Sequence, residues 1–506
     1  MKKTISLLLC LFTILSVFTC CKKEEAPDTE TETTVAEEET EKEFTVSLGY
    51  YSHENLNPFV TESKTNKNIS TLIYDSLFKT ESDYEAVPEI AESYEFEDGD
   101  LVVHLKEEIL FTDGSALSAE DVVYSFNQAK SAPLYKASLK NFSSARAQTE
   151  SAVLFTLYTP DIYAVNCLQF PVVKYASLAY EAPVGTGRYI LKNKNDKLYL
   201  SANESYCLDE VLEQKKLSLF DLNNTENPFY VLQIGDLSFV FDDLTSDSLT
   251  YNINASTSEI NLNNLVFLTF NEKSETLKDK NIKKAICLSV DKSLLCGEIY
   301  DSLAVPAETP FNPAWYVLKD FTPEEKNAAE TPYTLLDKSG YIYEYDTNEF
   351  RSKNFEYLKL TFLVSDSDEK KISLAKKITE TLRKAGVDVS LKIIEQDKFT
   401  SALSEGDYDM YLGEVKLTED MSLSSFFTNG QGLSYGIDTS SAAAKAYFDF
   451  KEGKIDITTF AKVFEEAMPF LPICYKKGIA YYSRELRYEG TVSENDIFSN
   501  IYSWGK

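Results

Sequence analysis

His53 and His104 are the chain's two histidines, and a two-histidine metal site would need them close in space, which nothing in their placement suggests. His104 alternates with apolar positions along Leu101, Val103 and Leu105, which fits a solvated or structural side chain. No His-Glu-x-x-His helix or Gly-x4-Gly-Lys-[Ser/Thr] loop occurs. Beyond the amino terminus the cysteines are Cys167, Cys207, Cys287, Cys296 and Cys474, widely spaced, odd in number and without a Cys-x-x-Cys pair. Buried free thiols are therefore expected, with at least one cysteine unpaired. No catalytic group, resident metal or cofactor follows from these residues. Non-covalent binding is the chemistry they allow.

The elements that carry these residues begin after an export segment. Lys2 and Lys3 precede an uncharged apolar run over residues 5–18, so residues 1–19 read as a signal peptide. Val17-Phe18-Thr19-Cys20-Cys21 resembles the lipobox of bacterial lipoproteins, with Cys20 as the lipid-bearing residue and Cys21 as its alternative. Simple signal-peptidase cleavage is the plainer alternative. Acyl chains on that cysteine would hold the protein on a membrane without a span, and no later stretch reaches about 18 apolar residues. Residues 20–43 are dominated by Glu, Thr, Ala and Lys, too polar to fold alone, and form an acidic tether.

The net charge of −31 argues against nucleic acid and against anionic lipid surfaces. With 43% hydrophobic residues, 32 Tyr and 31 Phe in 506 residues, the remainder is folded and divided into two or three domains. Phe44, Val46 and Leu48 alternate as a strand, and Ile69, Leu72, Ile73 and Leu77 recur at helical spacing. A strand runs over residues 101–110, and a turn follows at Asp113-Gly114. Ser118 and Asp121 form a capping-box-like start to a helix bearing Val122, Val123 and Phe126. Leu277, Ile282, Ala285, Ile286 and Leu294 mark a surface helix with Asp279, Lys280, Lys283 and Lys284 on its wet side. Residues 372–383 predict another helix, stopped by Gly386, before strands over 387–393 and 408–413. Strands alternating with helices predict an α/β class.

Five points in one order carry a family resemblance: Leu56-Asn57-Pro58-Phe59, Ile73-Tyr74-Asp75-Ser76-Leu77-Phe78, Pro88-Glu89-Ile90-Ala91-Glu92-Ser93-Tyr94, Phe111-Thr112-Asp113-Gly114, and Ser118-Ala119-Glu120-Asp121-Val122-Val123-Tyr124-Ser125. Val184-Gly185-Thr186-Gly187-Arg188-Tyr189, Leu277-Lys278-Asp279 and Gly406-Asp407-Tyr408-Asp409-Met410 extend it over residues 44–480. The chain resembles the family 5 extracellular solute-binding proteins, the peptide, dipeptide and nickel binders of ABC importers. It departs from them at Arg188, usually Pro, and at Gly413-Glu414-Val415, where a Gly-Trp pair is usual.

That resemblance implies a two-lobed type II periplasmic-binding-protein fold with an extra subdomain inserted in lobe I. Lobe I would comprise residues 44–75, 185–268 and 470–506, the inserted subdomain 76–184, and lobe II 269–469. The Asp113-Gly114 and Glu120-Asp121 motifs would be turn and packing determinants. The protein would be a monomeric lipoprotein outside the cytoplasm that captures a small ligand, most readily a peptide, and meets ABC permease subunits. A surface sensor or adhesive lipoprotein on the same fold is the alternative; an enzyme is not expected. Glu419 and Asp420 stand near where peptide-binding relatives place the acid that meets a ligand's amino terminus, and read equally as an exposed acidic loop. His53 lies in a region that faces the cleft in relatives. Tyr50, Tyr51, Phe270, Asn271 and Trp315 suit a cleft lining and suit a core equally well.

Overall fold

The computed structural model describes residues 45–179, 182–208, 211–244, 253–323, 328–344 and 349–505. The signal segment, Cys20, Cys21 and the tether lie outside the described residues.

Among the described residues, eleven strands join in one sheet. Its spatial order is Asp388–Ile394, Lys359–Ser365, Met410–Lys416, Ser256–Phe270, Phe470–Tyr482, Phe239–Asp242, Ser47–Tyr50, Lys216–Asp221, Lys197–Ala202 and Tyr189–Lys194, with Ala304–Pro306 paired to Phe470–Tyr482. Two long antiparallel strands, Ser256–Phe270 and Phe470–Tyr482, run side by side through the middle of the sheet. Residues 256–261 pair only with the end of Phe470–Tyr482 that meets Phe239–Asp242. Residues 265–270 pair on their other side with Met410–Lys416. The register shifts between Asn261 and Leu265, so a bulge separates these two stretches of the strand.

The bulge leaves backbone groups without ladder partners, and side chains from separate regions supply them. The Tyr84 hydroxyl donates to the Asn261 carbonyl at 3.2 Å, and Asn312 Nδ2 to that of Leu262 at 3.0 Å. Glu494 Oε1 accepts the Asn263 amide at 2.8 Å.

Beyond the bulge the strand is buried on both faces. Val266, Leu268 and Phe270 enter one core with Ile286, Phe362 and Ile378. Leu265 and Phe267 enter the opposite core with Trp315, Phe426 and Phe450. Helices cover both sides of the sheet, which is why this stretch reads as a continuous apolar run.

The inserted subdomain is a four-stranded antiparallel sheet, in the order Ala91–Glu97, Asp100–Leu105, Ala152–Leu157 and Phe142–Thr149. Helix Ala119–Ala129 lies across it, with Phe126 wedged against Phe142 and Phe155. Asp121 Oδ2 accepts the Ser118 amide at 2.9 Å, closing the capping box, while Oδ1 accepts the Tyr175 amide at 2.7 Å. Asp113 accepts the Ser115 amide at 3.0 Å, and Gly114 adopts φ +84°. Both acidic motifs thus shape turns and packing.

Three helical expectations change. The helix expected through Leu77 is Lys64–Ser70. It stops because the Ile73 and Leu72 carbonyls accept the Gly187 and Tyr189 amides at 3.0 and 2.9 Å, fastening the chain there in an unwound path. The apolar run from Leu277 becomes two helices, Lys280–Ser289 and Lys292–Tyr300, because Val290 and Asp291 are extended and Asp291 caps the second. Lys283, expected on the wet side, is buried and pairs with Glu272 at 2.7 Å.

Candidate functional site

Where the two lobes and the inserted subdomain meet, a cavity of about 50 Å³ is lined by Lys67, Tyr74, Thr80, Tyr135, Glu419 and Asn495, among others. That is room for about four water molecules. Each residue reaches it from a different element. Lys67 projects from helix Lys64–Ser70, capped by Ser63, whose side chain accepts from the Asn66 amide. Tyr74 follows in the unwound segment fastened by Gly187. Glu419 lies on the loop after strand Met410–Lys416. Asn263 Nδ2 fixes that loop by donating to the Leu417 and Thr418 carbonyls at 3.1 and 3.0 Å. Asn166 of the subdomain donates to the Glu419 carbonyl at 3.3 Å.

The cavity gathers unmet polar groups. The Tyr74 hydroxyl, Thr80 Oγ1, Asn495 Nδ2 and Glu419 Oε2 are buried without a hydrogen-bond partner. Such groups carry a desolvation cost of roughly 1–3 kcal/mol each unless something enters to bond them. Lys67 is half-buried, its Nζ 5.5 Å from the Tyr135 ring centre. Burial lowers its pKa, and the nearby Glu419 charge partly opposes that.

A buried polar layer begins on the cavity wall, at Ser76, Lys79 and Glu89, and continues behind it. The Glu89 carboxylate accepts the Ser76 amide at 2.8 Å and pairs with Lys79 at 3.0 Å. Asp75 accepts from Thr186 at 2.8 Å and from Tyr206 at 3.0 Å. Its carboxyl is pushed up to about 7, first by burial and then by the Glu89 charge, with Arg188 opposing. Arg188, at the position that departs from the family pattern, is buried and lies 3.7 Å from Asp496 on the cavity wall.

The expected site residues separate. Glu419 lines the junction cavity. Asp420 is buried and faces Lys451 at 3.2 Å, and Lys451 also pairs with Asp161 at 2.9 Å. Trp315 is enclosed by Tyr163 and Phe311, and Phe270 is fully buried in the opposite core. Asn271 is buried and donates from Nδ2 to the Gly406 and Tyr408 carbonyls at 3.1 and 2.7 Å. Tyr50 is buried at the end of its strand. Tyr51 lines a second cavity of about 260 Å³ with Leu222, Phe229 and Asp242. His53 is exposed, its Nδ1 against Asn223 Oδ1, and His104 lies 3.2 Å from Glu95 in the subdomain. The two histidines are not brought together. A roomier cavity, about 680 Å³, lies between Lys284, Lys292, Phe464 and Phe470 and shares no lining residue with the junction cavity.

Lys67 and Asn495 escaped the sequence reading. A lysine on a short helix looks like a solvated one, and Asn495 sits in the carboxyl-terminal return, remote in sequence from everything it faces.

Comparison with known proteins agrees with this architecture. A model of the bacterial extracellular solute-binding proteins, family 5 Middle, matches residues 85–451. The oligopeptide-binding protein AppA of Bacillus subtilis (strain 168) is 24% identical over 395 residues, 70% of this chain and 69% of that one. The nickel-binding protein NikA of Staphylococcus aureus (strain NCTC 8325 / PS 47) is 25% identical over 353 residues, 67% and 68% of the two chains. In structure, an ABC transporter substrate-binding protein from Sinorhizobium meliloti aligns with TM-score 0.73 at 20% identity, covering 91% of this chain and 99% of that one. The unliganded open form of the periplasmic murein tripeptide binding protein MppA aligns with TM-score 0.72 at 18% identity, over 88% and 94%. The fold is the two-lobed type II periplasmic-binding-protein fold with a subdomain inserted in lobe I. The chain belongs to the bacterial extracellular solute-binding proteins, family 5.

Proposed function

We propose that this protein is the lipid-anchored, extracytoplasmic binding subunit of an ABC importer and that it captures peptides between its lobes. The observation that carries the ligand class is Glu419 Oε2, buried, without a partner, in the cavity where the lobes meet. A peptide's amino terminus is the complementary group, because a desolvated ammonium needs a charged acceptor and the pair forms a charge-assisted hydrogen bond. Backbone donors and acceptors then hold the main chain in extended form. No covalent step is involved.

Capture works by differential contact. The present cavity holds about four waters, so a peptide enters only with the lobes parted. It favours their approach because contacts to both lobes exist together only in the approached state. Cys20, lipidated, would keep the body near the permease at the end of the acidic tether.

Thermal unfolding against pooled di- to hexapeptides, nickel with and without histidine, and oligosaccharides tests the ligand class. Saturation at about 100 times Kd stabilises by about 2.7 kcal/mol. A shift with peptides that Glu419→Ala abolishes supports the reading. Silence with peptides and a response to another pool discards the substrate while leaving a binding protein.

A further inference from the structure

We propose that Cys296 and Cys474 close into a disulfide when the folded body meets an oxidising compartment, a bond that staples helix Lys292–Tyr300 to strand Phe470–Tyr482. Only the compartment rests on the extracytoplasmic reading above; the bond rests on how the backbone sets the two sulfurs. The Cys296 carbonyl accepts the amide of Asp301, which takes a left-handed φ of +52°, and that of Ser302 at 3.1 Å. The helix ends there, and the chain turns directly into strand Ala304–Pro306, which pairs with Phe470–Tyr482 and sets Pro306 opposite Cys474. Backbone bonds fasten both ends of that pairing, from the Lys477 amide to the Leu303 carbonyl and from the Ala307 amide to the Ile473 carbonyl, each at 3.0 Å. The helix is thereby folded back against the strand, and the two thiols hydrogen-bond to each other within one apolar core.

Both cysteines are buried, and each is the other's resolving partner. The pair is already polarised. The hydrogen bond from Cys474 lowers the Cys296 pKa, with burial opposing and the Lys292 charge assisting, while the same bond and burial push the Cys474 thiol up. Cys296 is therefore the nucleophile and Cys474 the proton donor. The Cys296 thiolate attacks the disulfide of a thiol–disulfide oxidant, which forms a mixed disulfide and releases one oxidant thiolate. Cys474 passes its proton to that thiolate and displaces the second oxidant sulfur. Two electrons thus pass from the cysteines to the oxidant, whose disulfide leaves as two thiols once the second takes up the proton that Cys296 had released. Burial places this exchange during folding or in a transient opening of the helix end, and it shields the finished bond from small thiols. The two positions lie 178 apart, and the loop closed between them holds strands Lys359–Ser365, Asp388–Ile394 and Met410–Lys416. A cross-link over so long a loop restricts the unfolded chain strongly.

The full chain is equilibrated with oxidised or reduced glutathione, alkylated in denaturant, digested and mapped by mass spectrometry. The oxidised protein should yield a cross-linked peptide pair carrying Cys296 and Cys474, and reduction should return both as alkylated peptides. It should also melt at least about 3 °C above the reduced protein, a difference that Cys296→Ala should erase. The peptide map decides without any variant: alkylation of both cysteines after oxidation, or a cross-link from either of them to Cys287, overturns the pairing. Protein trapped with N-ethylmaleimide as the producing cells are lysed should already carry the bond. Trapped thiols in a protein that cross-links with oxidised glutathione would overturn the extracytoplasmic location and leave the pairing standing.

Discussion

The Lys451 ammonium lies 2.9 Å from the Asp161 carboxylate, and through that contact the inserted subdomain grips lobe II. Asp420 completes a triad at 3.2 Å, and all three side chains are less than a tenth exposed. The Tyr163 ring, 5.1 Å from Lys451 Nζ, and Trp315 beside it close the group from water. A cation here is held by two acids, and burial divides their behaviour: Asp161 is pushed up to about 7, whereas Lys451 and Thr418 hold Asp420 below the usual range against its desolvation.

Removing the cation would leave two adjacent carboxylates in a dry interior. Lys451→Met is expected to cost about 3–5 kcal/mol, read as a fall in the urea midpoint. The triple variant Asp161→Asn, Lys451→Met, Asp420→Asn should recover much of the loss, since burying neutral groups is far cheaper than burying unpaired charges. A loss below about 1 kcal/mol in the single variant would mean that the triad is effectively solvated.

Gly187 offers a backbone test. Its added Cβ would fall 2.3 Å from the Ile73 carbonyl carbon and 2.5 Å from its oxygen, the oxygen that accepts the Gly187 amide. Gly187→Ala must therefore push two backbones apart, and a destabilisation of at least about 1–3 kcal/mol is expected. Gly297, inside helix Lys292–Tyr300 with nothing within 4 Å of its Cβ position, is the control. Gly297→Ala should be neutral or gain about 0.5–1 kcal/mol. Melting temperatures that move alike in the two variants would refute the close-approach account.

Local chemistry is what the sequence displays best. Asp113-Gly114 and the Ser118–Asp121 box act on residues within three positions, so their structural roles were legible, as were the helix Glu369–Lys384 and the strand after Gly386. The crossing strands were not. Burial on both faces erases the alternation of Leu265–Phe270, and nothing local shows that residues 262–264 bulge. The helix through Leu77 was misread because its terminator, the Gly187 amide, lies 114 positions from Ile73. At the site, Glu419 came into view through family resemblance. Lys67 did not, because only the other lobe distinguishes it from a solvated lysine.

Asp75 predicts a pH dependence. Burial and then the Glu89 charge push its folded carboxyl up to about 7 from an ordinary value near 3.8, so between these values the native state keeps a proton that the unfolded chain releases. The resulting stability is fully present below about pH 4 and is lost as pH rises through 7. Asp75→Asn mimics the protonated form. The gap in melting temperature between Asp75→Asn and wild type should therefore move in the variant's favour from pH 5 to pH 8. Taking the difference cancels the parallel titration of Asp161. A gap constant over that range would show that Asp75 is ionised throughout.

Glu494 braces the bulge between Asn261 and Leu265. One carboxylate oxygen accepts the Asn263 amide at 2.8 Å within the bulge, and the other accepts Lys416 Nζ at 2.6 Å from the neighbouring strand. Glu494→Gln retains an acceptor for Asn263 while losing the charge pair, whereas Glu494→Ala leaves a buried amide unpaired, at about 1–3 kcal/mol. Hydrogen exchange at the Asn263 amide should accelerate strongly in Glu494→Ala and modestly in Glu494→Gln, with exchange in strand Lys359–Ser365 unchanged in both. The local reading matters because a bulge held by side chains from three regions can loosen without melting either core. Equal protection of Asn263 in all three proteins would show that the sheet itself fixes the bulge, and that Glu494 serves only to neutralise Lys416.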